Sequence, residues 1–267
     1  MSESILKNKI EVSFCTVTYN SSSKIVDFVK NIESLKSNIF NKKIYVVDNG
    51  STDGTVAIVE ELCTKYDDVS LMTPSKNGGF GFGNNYVIPS LTSDYHVVIN
   101  PDVEIPSTQT IDDMVLYMEQ HKEVGLLSPK IMNTDGTVQK LYKHNPSILD
   151  MALRFISPNV MKKRKSWFVH DETGYTQIGT IDHASGACMF FRTTIFKKVG
   201  GFDERYFMYM EDADITREVN QVSKAVFYPK VSVVHEWQRE SHKKFKYTMY
   251  TLKSMAKYFN KWGWKWM

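Results

Sequence analysis

The sequence holds little from which to build covalent cross-links or membrane spans. Cysteine occurs three times in 267 residues, at Cys15, Cys63 and Cys188. These positions are too far apart for a paired metal motif, so each reads as a small buried hydrophobe in a reducing compartment. No apolar run approaches the roughly 20 residues that cross a bilayer, and residues 1–9 lack the apolar core of a signal peptide. The expected location is therefore the cytoplasm. An excess of one charge is missing too: 33 Lys and Arg stand against 30 Asp and Glu, leaving +3, so no nucleic-acid partner is expected. There is no Walker lysine, and no G-x-G-x-x-G opens the first helix, which sets aside P-loop and dinucleotide-dependent enzymes.

What is present is an alternation of strand and helix signals. Val12, Phe14, Cys15 and Val17 form a β-prone run over 11–19 that stops at the turn and cap cluster 20–23. Apolar residues then recur at helical spacing from Ile25 to Leu35, and the helix is expected to run through Ser37. Strands at 44–47, 69–73 and 97–99, with helices at 55–66 and 110–121, repeat the pattern. That interval argues for an α/β fold, a doubly wound and mainly parallel sheet whose ligands sit beyond the carboxyl ends of the strands.

The rule gathers the unusual loops into one crevice. Thr18-Tyr19-Asn20, Asp48-Asn49-Gly50, the glycine-rich stretch 77–85 and the segment 100–104 all follow strands. Read alone, Asn100-Pro101-Asp102 is a turn former. While the backbone stays extended, Asn100, Asp102 and Glu104 share a face and offer the oxygen ligands that a hard divalent cation prefers. The glycines of 77–85 serve equally as a flexible surface loop or as a phosphate or sugar contact.

The second half changes character. Asn133-Thr134-Asp135-Gly136 signals a hairpin, and 145–176 reads as a helix plus a mobile loop whose basic run 162–165 is a solvated surface. Residues 181–191 read as a turn followed by a buried strand, a helix starts near Glu211, and 226–234 reads as two short strands split at Pro229 and ending on His235. From His242 onward lysines alternate with aromatics and no acid interrupts them. Such a segment suits an anionic membrane interface, or equally a helix packed on the domain.

Val17-Thr18-Tyr19-Asn20, Val47-Asp48-Asn49-Gly50-Ser51-Thr52-Asp53, Asn77-x-Gly79-Phe80-Gly81, Asn100-Pro101-Asp102, Ala184-Ser185-Gly186-Ala187, Gly200-Gly201-Phe202-Asp203 and Met210-Glu211-Asp212-Ala213-Asp214 stand in an order that resembles glycosyltransferase family 2. Among its members the sequence is most similar to the bacterial rhamnosyltransferases of O-antigen and capsule assembly. The resemblance covers about residues 10–240.

It implies a GT-A fold over 1–240, with a nucleotide-binding half at about 10–105 and an acceptor-side half at about 106–240 holding a small antiparallel portion. Residues 241–267 then form a C-terminal helix or tail. It also implies inverting sugar transfer from a nucleotide diphosphate donor, dTDP-rhamnose first and a UDP-sugar second, to a lipid-linked glycan at the inner face of the membrane. A non-catalytic nucleotide-sugar-binding module is the rival from another class.

Asp212, with Glu211 beside it, takes the place of the family's base. Thr18, Tyr19, Asn20, Asp48, Asn77, Gly79, Asn100 and Asp102 take the places that border the nucleotide sugar, Asp48 as acceptor for a pyrimidine N–H. Asp102 and His235 would ligate Mg²⁺ or Mn²⁺. The sequence departs from the family's Asp-x-Asp motif by carrying Asn100 in place of the first carboxylate.

Overall fold

A computed structural model describes residues 9–153, 159–236 and 245–267. The first half is strand–helix alternation, as its periodicity dictates: β1 Ile10–Thr18, α1 Ser22–Ser34, β2 Phe40–Asp48, α2 Thr55–Lys65, β3 Val69–Met72, α3 Phe80–Asn85, β4 Tyr95–Ile99, β5 Val103–Glu104 and α4 Thr108–Gln120. The second half adds β6 Val124–Met132, α5 Ile148–Ala152, α6 Lys162–Phe168, β7 Gly179–Thr180, β8 Cys188–Arg192, α7 Thr193–Lys198, α8 Glu211–Val222, β9 Lys224–His235 and α9 Phe245–Trp262. One sheet runs β3-β2-β1-β4-β8-β6-β9-β5, with β7 also on β9. β3, β2, β1 and β4 are parallel, and β8 inserts antiparallel between β4 and β6.

Alternation along the strands divides the core into two layers. Val12, Phe14, Ile44, Val46, Val97 and Phe190 pack with α1 and α4 on one face. Cys15, Val47, Val98, Met189 and Phe191 pack with α7 and α8 on the other. Burial on both faces explains why β1 and β4 read as near-continuous apolar runs. Cys15 and Cys188 are fully buried, and burial raises their thiols, that of Cys188 to about 12. A third apolar cluster, with Met151, Phe168, Tyr206, Met210, Tyr258 and Phe259, seats α9 against α5, α6 and α8.

Several local expectations change. α1 stops at Ser34 because Leu35 is extended (ψ 100°). The glycine-rich stretch is a helix from Phe80 onward, and its glycines are spent on close packing. A Cβ on Gly79 (φ +96°) would lie 2.0 Å from the Phe207 carbonyl oxygen, and one on Gly83 would lie 2.7 Å from Val17. β9 is a single strand: Pro129 pairs with Tyr228 while the next residue, Lys130, pairs with Ser232, so 229–231 bulge out instead of ending the strand. The 133–136 hairpin closes on one bridge, Met132 to Val138.

Among the described residues the region 145–176 holds the short helices α5 and α6 and a 3₁₀ turn at Asp171–Thr173, and residues 154–158, where part of the expected loop falls, lie outside them. Its basic run is not all solvated surface, since Arg164 grips the buried Asp150 through two 2.7 Å hydrogen bonds. The C-terminal helix packs on the domain. Lys261 Nζ lies 2.7 Å from Asp214 Oδ2, and the Trp262 indole donates to Asp214 Oδ1 at 2.6 Å. Asp214 thus pairs with α9 and not with its neighbour Arg217, whose guanidinium lies over the Trp262 ring. No helix among the described residues is long and apolar enough to cross a membrane.

Candidate active site

β1 and β2 end side by side, which brings Thr18 against Asp48. The Asp48 carboxylate, 2% exposed, accepts from Thr18 Oγ1 (3.0 Å), Gly50 N (3.0 Å), Ser51 N (2.8 Å) and Ser51 Oγ (2.5 Å). Its own loop and Thr18 at the end of β1 therefore use all four acceptor positions of the carboxylate. Asn20, left-handed at φ 55°, accepts from Thr52 N at 2.8 Å and ties the first loop to the second. Tyr19 is exposed. Asn49 Nδ2 donates to the Gly79 carbonyl at 2.9 Å, and Asn77 Oδ1 accepts from Gly79 N at 3.0 Å, so the third loop joins the first two.

The end of β4 leads to the second group. The chain turns here, with Val103 N donating to Asn100 O at 3.1 Å, so the extended alternation that would align Asn100, Asp102 and Glu104 does not run through. β5 instead pairs Val103 with His235 at the end of β9. That pairing sets Asp102 Oδ1 3.3 Å from His235 Nε2. The oxygen is buried and has no hydrogen-bond donor. Behind the ring, Gln139 Oε1 lies 3.0 Å from His235 Nδ1, and Gln139 Nε2 donates to the His235 carbonyl at 2.8 Å.

The third group opens α8. Tyr209 and Met210 both have positive φ (70° and 69°) although neither is glycine or asparagine, a strain of about 1–3 kcal/mol each that turns the chain into the helix. Glu211 faces inward. Burial, and then the charge of Asp212, raises its carboxyl to about 8, so it is protonated at neutral pH. Asp212 keeps 23% of its side chain exposed and lies 3.2 Å from His183 Nε2. Its oxygens accept from Ala213 N at 2.8 Å and Gly186 N at 3.3 Å. Burial raises this carboxyl, but His183 and Lys143 outweigh it and hold the group below the usual carboxylate range. Two adjacent carboxyls are thereby driven apart, one neutral and one ionised.

Contacts join the three groups. Gly186, bound to Asp212, faces the Phe80 ring, which follows Gly79. The next residue, Ala187, accepts from Asn100 N at 3.0 Å. A cavity of about 610 Å³ lies beside them, lined by Gln139, Lys143, His183, Met151 and Phe168 among others. A chain of contacts thus links the loops that carry Asp48, Asp102, Asp212 and His235, while Asp102 itself lines a separate cavity of about 480 Å³ with Lys24, Asn31 and Glu104. Sequence reasoning missed Gln139 and gave His183 no role. Both lie in short polar stretches with no periodic signal, and each finds its partner only across the fold.

The residues fit a divalent cation. Asp102 and His235 present a carboxylate oxygen and an imidazole nitrogen to the same point, and the oxygen has no donor of its own. That donor set suits Mn²⁺ or Mg²⁺.

Comparison with known proteins follows the same lines. The family model described as glycosyl transferase family 2 matches residues 13–200. An N-acetylglucosaminyl-diphospho-decaprenol L-rhamnosyltransferase of Mycobacterium tuberculosis is 30% identical over 210 residues, 72% of this chain and 66% of its own length. The chain thus spans just under two thirds of that relative. Rhamnosyltransferase WbbL of Escherichia coli is 22% identical over 246 residues, covering 87% of this chain and 88% of its own. Among solved structures, a mannosyltransferase from Pyrobaculum calidifontis in complex with GDP-Man and Mn²⁺ superposes with a TM-score of 0.67 at 17% identity, over 95% of this chain and 65% of that one.

Proposed function

The chain belongs to glycosyltransferase family 2 and has its GT-A fold. On that premise we propose that it is an inverting transferase, moving L-rhamnose from dTDP-rhamnose to a lipid-linked saccharide during cell-surface polysaccharide synthesis. The observation that carries the proposal is the setting of Asp212, fixed at the start of α8 by His183 Nε2 at 3.2 Å and the Gly186 N–H at 3.3 Å with part of its carboxylate still exposed. A partly exposed carboxylate that His183 holds below the usual range can accept a proton from an acceptor hydroxyl. The relatives' names supply the sugar and the kind of acceptor.

In the proposed reaction the acceptor oxygen forms a bond to the anomeric carbon as the bond to the diphosphate breaks on the opposite face. Asp212 takes the hydroxyl proton, and the nucleoside diphosphate departs with the bonding pair. His183 and Gly186 N fix Asp212 in place, so little reorganisation is needed at the moment of transfer. Asp102 and His235 would hold Mg²⁺ or Mn²⁺, which supplies charge neutralisation for the leaving diphosphate. Thr18, Asn20, Asp48, Asn77 and Gly79 form the nucleoside wall. A pyrimidine N–H reaching Asp48 would displace one hydroxyl, Thr18 or Ser51, from the filled carboxylate. Trp264 and Trp266, exposed on the C-terminal tail, would rest on the inner face of the membrane beside the acceptor.

A thermal-shift panel with Mn²⁺ tests the donor, because a ligand of the folded form raises its melting temperature. dTDP-rhamnose is expected to give the largest shift; an equal or larger shift from a UDP-sugar would reassign the donor. Asp212→Asn should keep that shift while transfer falls by about 10²–10⁴. Wild type that binds donor and never turns over would mean a binding module instead.

A further inference from the structure

Gln139 makes two hydrogen bonds to one residue. Its Nε2 lies 2.8 Å from the His235 carbonyl oxygen, and its Oε1 lies 3.0 Å from His235 Nδ1. A carbonyl can only accept, so the amide nitrogen must face it, and the amide oxygen must therefore face the ring. An oxygen at that distance requires a hydrogen on Nδ1. In the neutral ring the hydrogen on Nδ1 leaves Nε2 with its lone pair, and that lone pair faces Asp102 Oδ1 at 3.3 Å, an oxygen with no donor of its own.

Gln139 has its backbone fixed at this position. It is 6% exposed, its backbone N–H donates to Ile131 at 2.8 Å, and its carbonyl accepts from Leu141 N at 2.8 Å. The segment between β6 and α5 thus carries an amide into the back of the candidate cation site.

We propose that Gln139 is a positioning residue that holds His235 in the Nδ1–H tautomer, so that Nε2 and the Asp102 carboxylate form a two-point site for a divalent cation. The inference rests on the cation reading of Asp102 and His235. An amide does this without adding charge, which leaves the affinity of the site to its two ligands. Partners behind a ligating histidine are commonly worth about 10–100-fold in metal affinity.

The test uses two variants of the full chain. Gln139→Met keeps the shape and removes both polar atoms; Gln139→Glu keeps an acceptor against Nδ1. Nitrogen-15 spectra of the histidine ring, with Mg²⁺ as a diamagnetic probe, report which nitrogen carries the hydrogen. Titration with Mn²⁺ reports affinity. The expected result is an Nδ1–H ring in wild type and Gln139→Glu, loss of that uniform state in Gln139→Met, and Mn²⁺ binding about 10–100-fold weaker in Gln139→Met alone. If Gln139→Met keeps both the wild-type tautomer and the wild-type Mn²⁺ affinity, the role assigned to Gln139 is overturned. Failure of wild type to bind Mn²⁺ at all would overturn the cation reading itself, which is a different result.

Discussion

At the scale of single residues, Glu211 carries the clearest pH signature. An acid whose folded-state pKa is raised to about 8 is protonated when folded and ionised when unfolded between roughly pH 4.3 and 8. The unfolded chain then binds fewer protons, so this group's contribution to stability falls as pH rises through that window and is fully lost above it. Glu211→Gln should remove the effect. Its stability relative to wild type, from urea melts, should improve between pH 5 and pH 8.5 by on the order of a few kcal/mol. A constant difference across that range would show that Glu211 is not held neutral. The sequence singled out Asp212, Asp102 and His235 because each stands where a strand or a loop hands over to the next element in a recognisable order. It could not place Gln139 or His183, whose roles arise from contacts between distant parts of the chain.

At the scale of elements, the pairing of α8 with α9 is the feature most open to experiment. Asp214 on α8 is almost fully buried and is held by Lys261, the Trp262 indole and the Tyr206 hydroxyl. Lys261→Met would leave a buried carboxylate short of its cation and should cost about 2–4 kcal/mol in a urea melt. Pairing it with Asp214→Asn should restore part of the loss, because no unmatched charge then remains. Equal losses in the single and double variants would locate the stability elsewhere.

Helical and strand periodicity revealed α1, α2, α4 and the central strands, because those segments bury a regular face. It failed for α3, where Gly79, Gly81 and Gly83 look like loop residues but are needed so that Phe207, Phe202 and Val17 can approach. It failed again at Pro229, where a bulge lets the strand continue past a residue that ordinarily ends one.

At the scale of the whole molecule, the C-terminal region does two things. One face of α9 completes the third apolar cluster through Tyr258 and Phe259. The tail beyond it leaves Trp264 56% and Trp266 74% exposed. Changing both tryptophans to serine should leave the melting temperature within about 2 °C, as expected for surface positions, and should weaken co-sedimentation with vesicles containing anionic lipid. Unchanged co-sedimentation would remove the tail from any membrane role. Charge pattern alone could not choose between packing and membrane contact, because lysines and aromatics suit either. The coordinates divide them by face.

The bulge at 229–231 has a further consequence. Strand side chains alternate in direction, so losing a single residue there would rotate everything downstream by half a repeat and exchange the inward place of His235 with that of Val234. Ser232 would likewise take the inward place of Val233, setting a hydroxyl in the apolar layer that Val231 and Val233 fill. A one-residue change of length in this short stretch would therefore lower stability and part His235 from Asp102 at once, so such an allele would show itself both in a melt and at the candidate cation site.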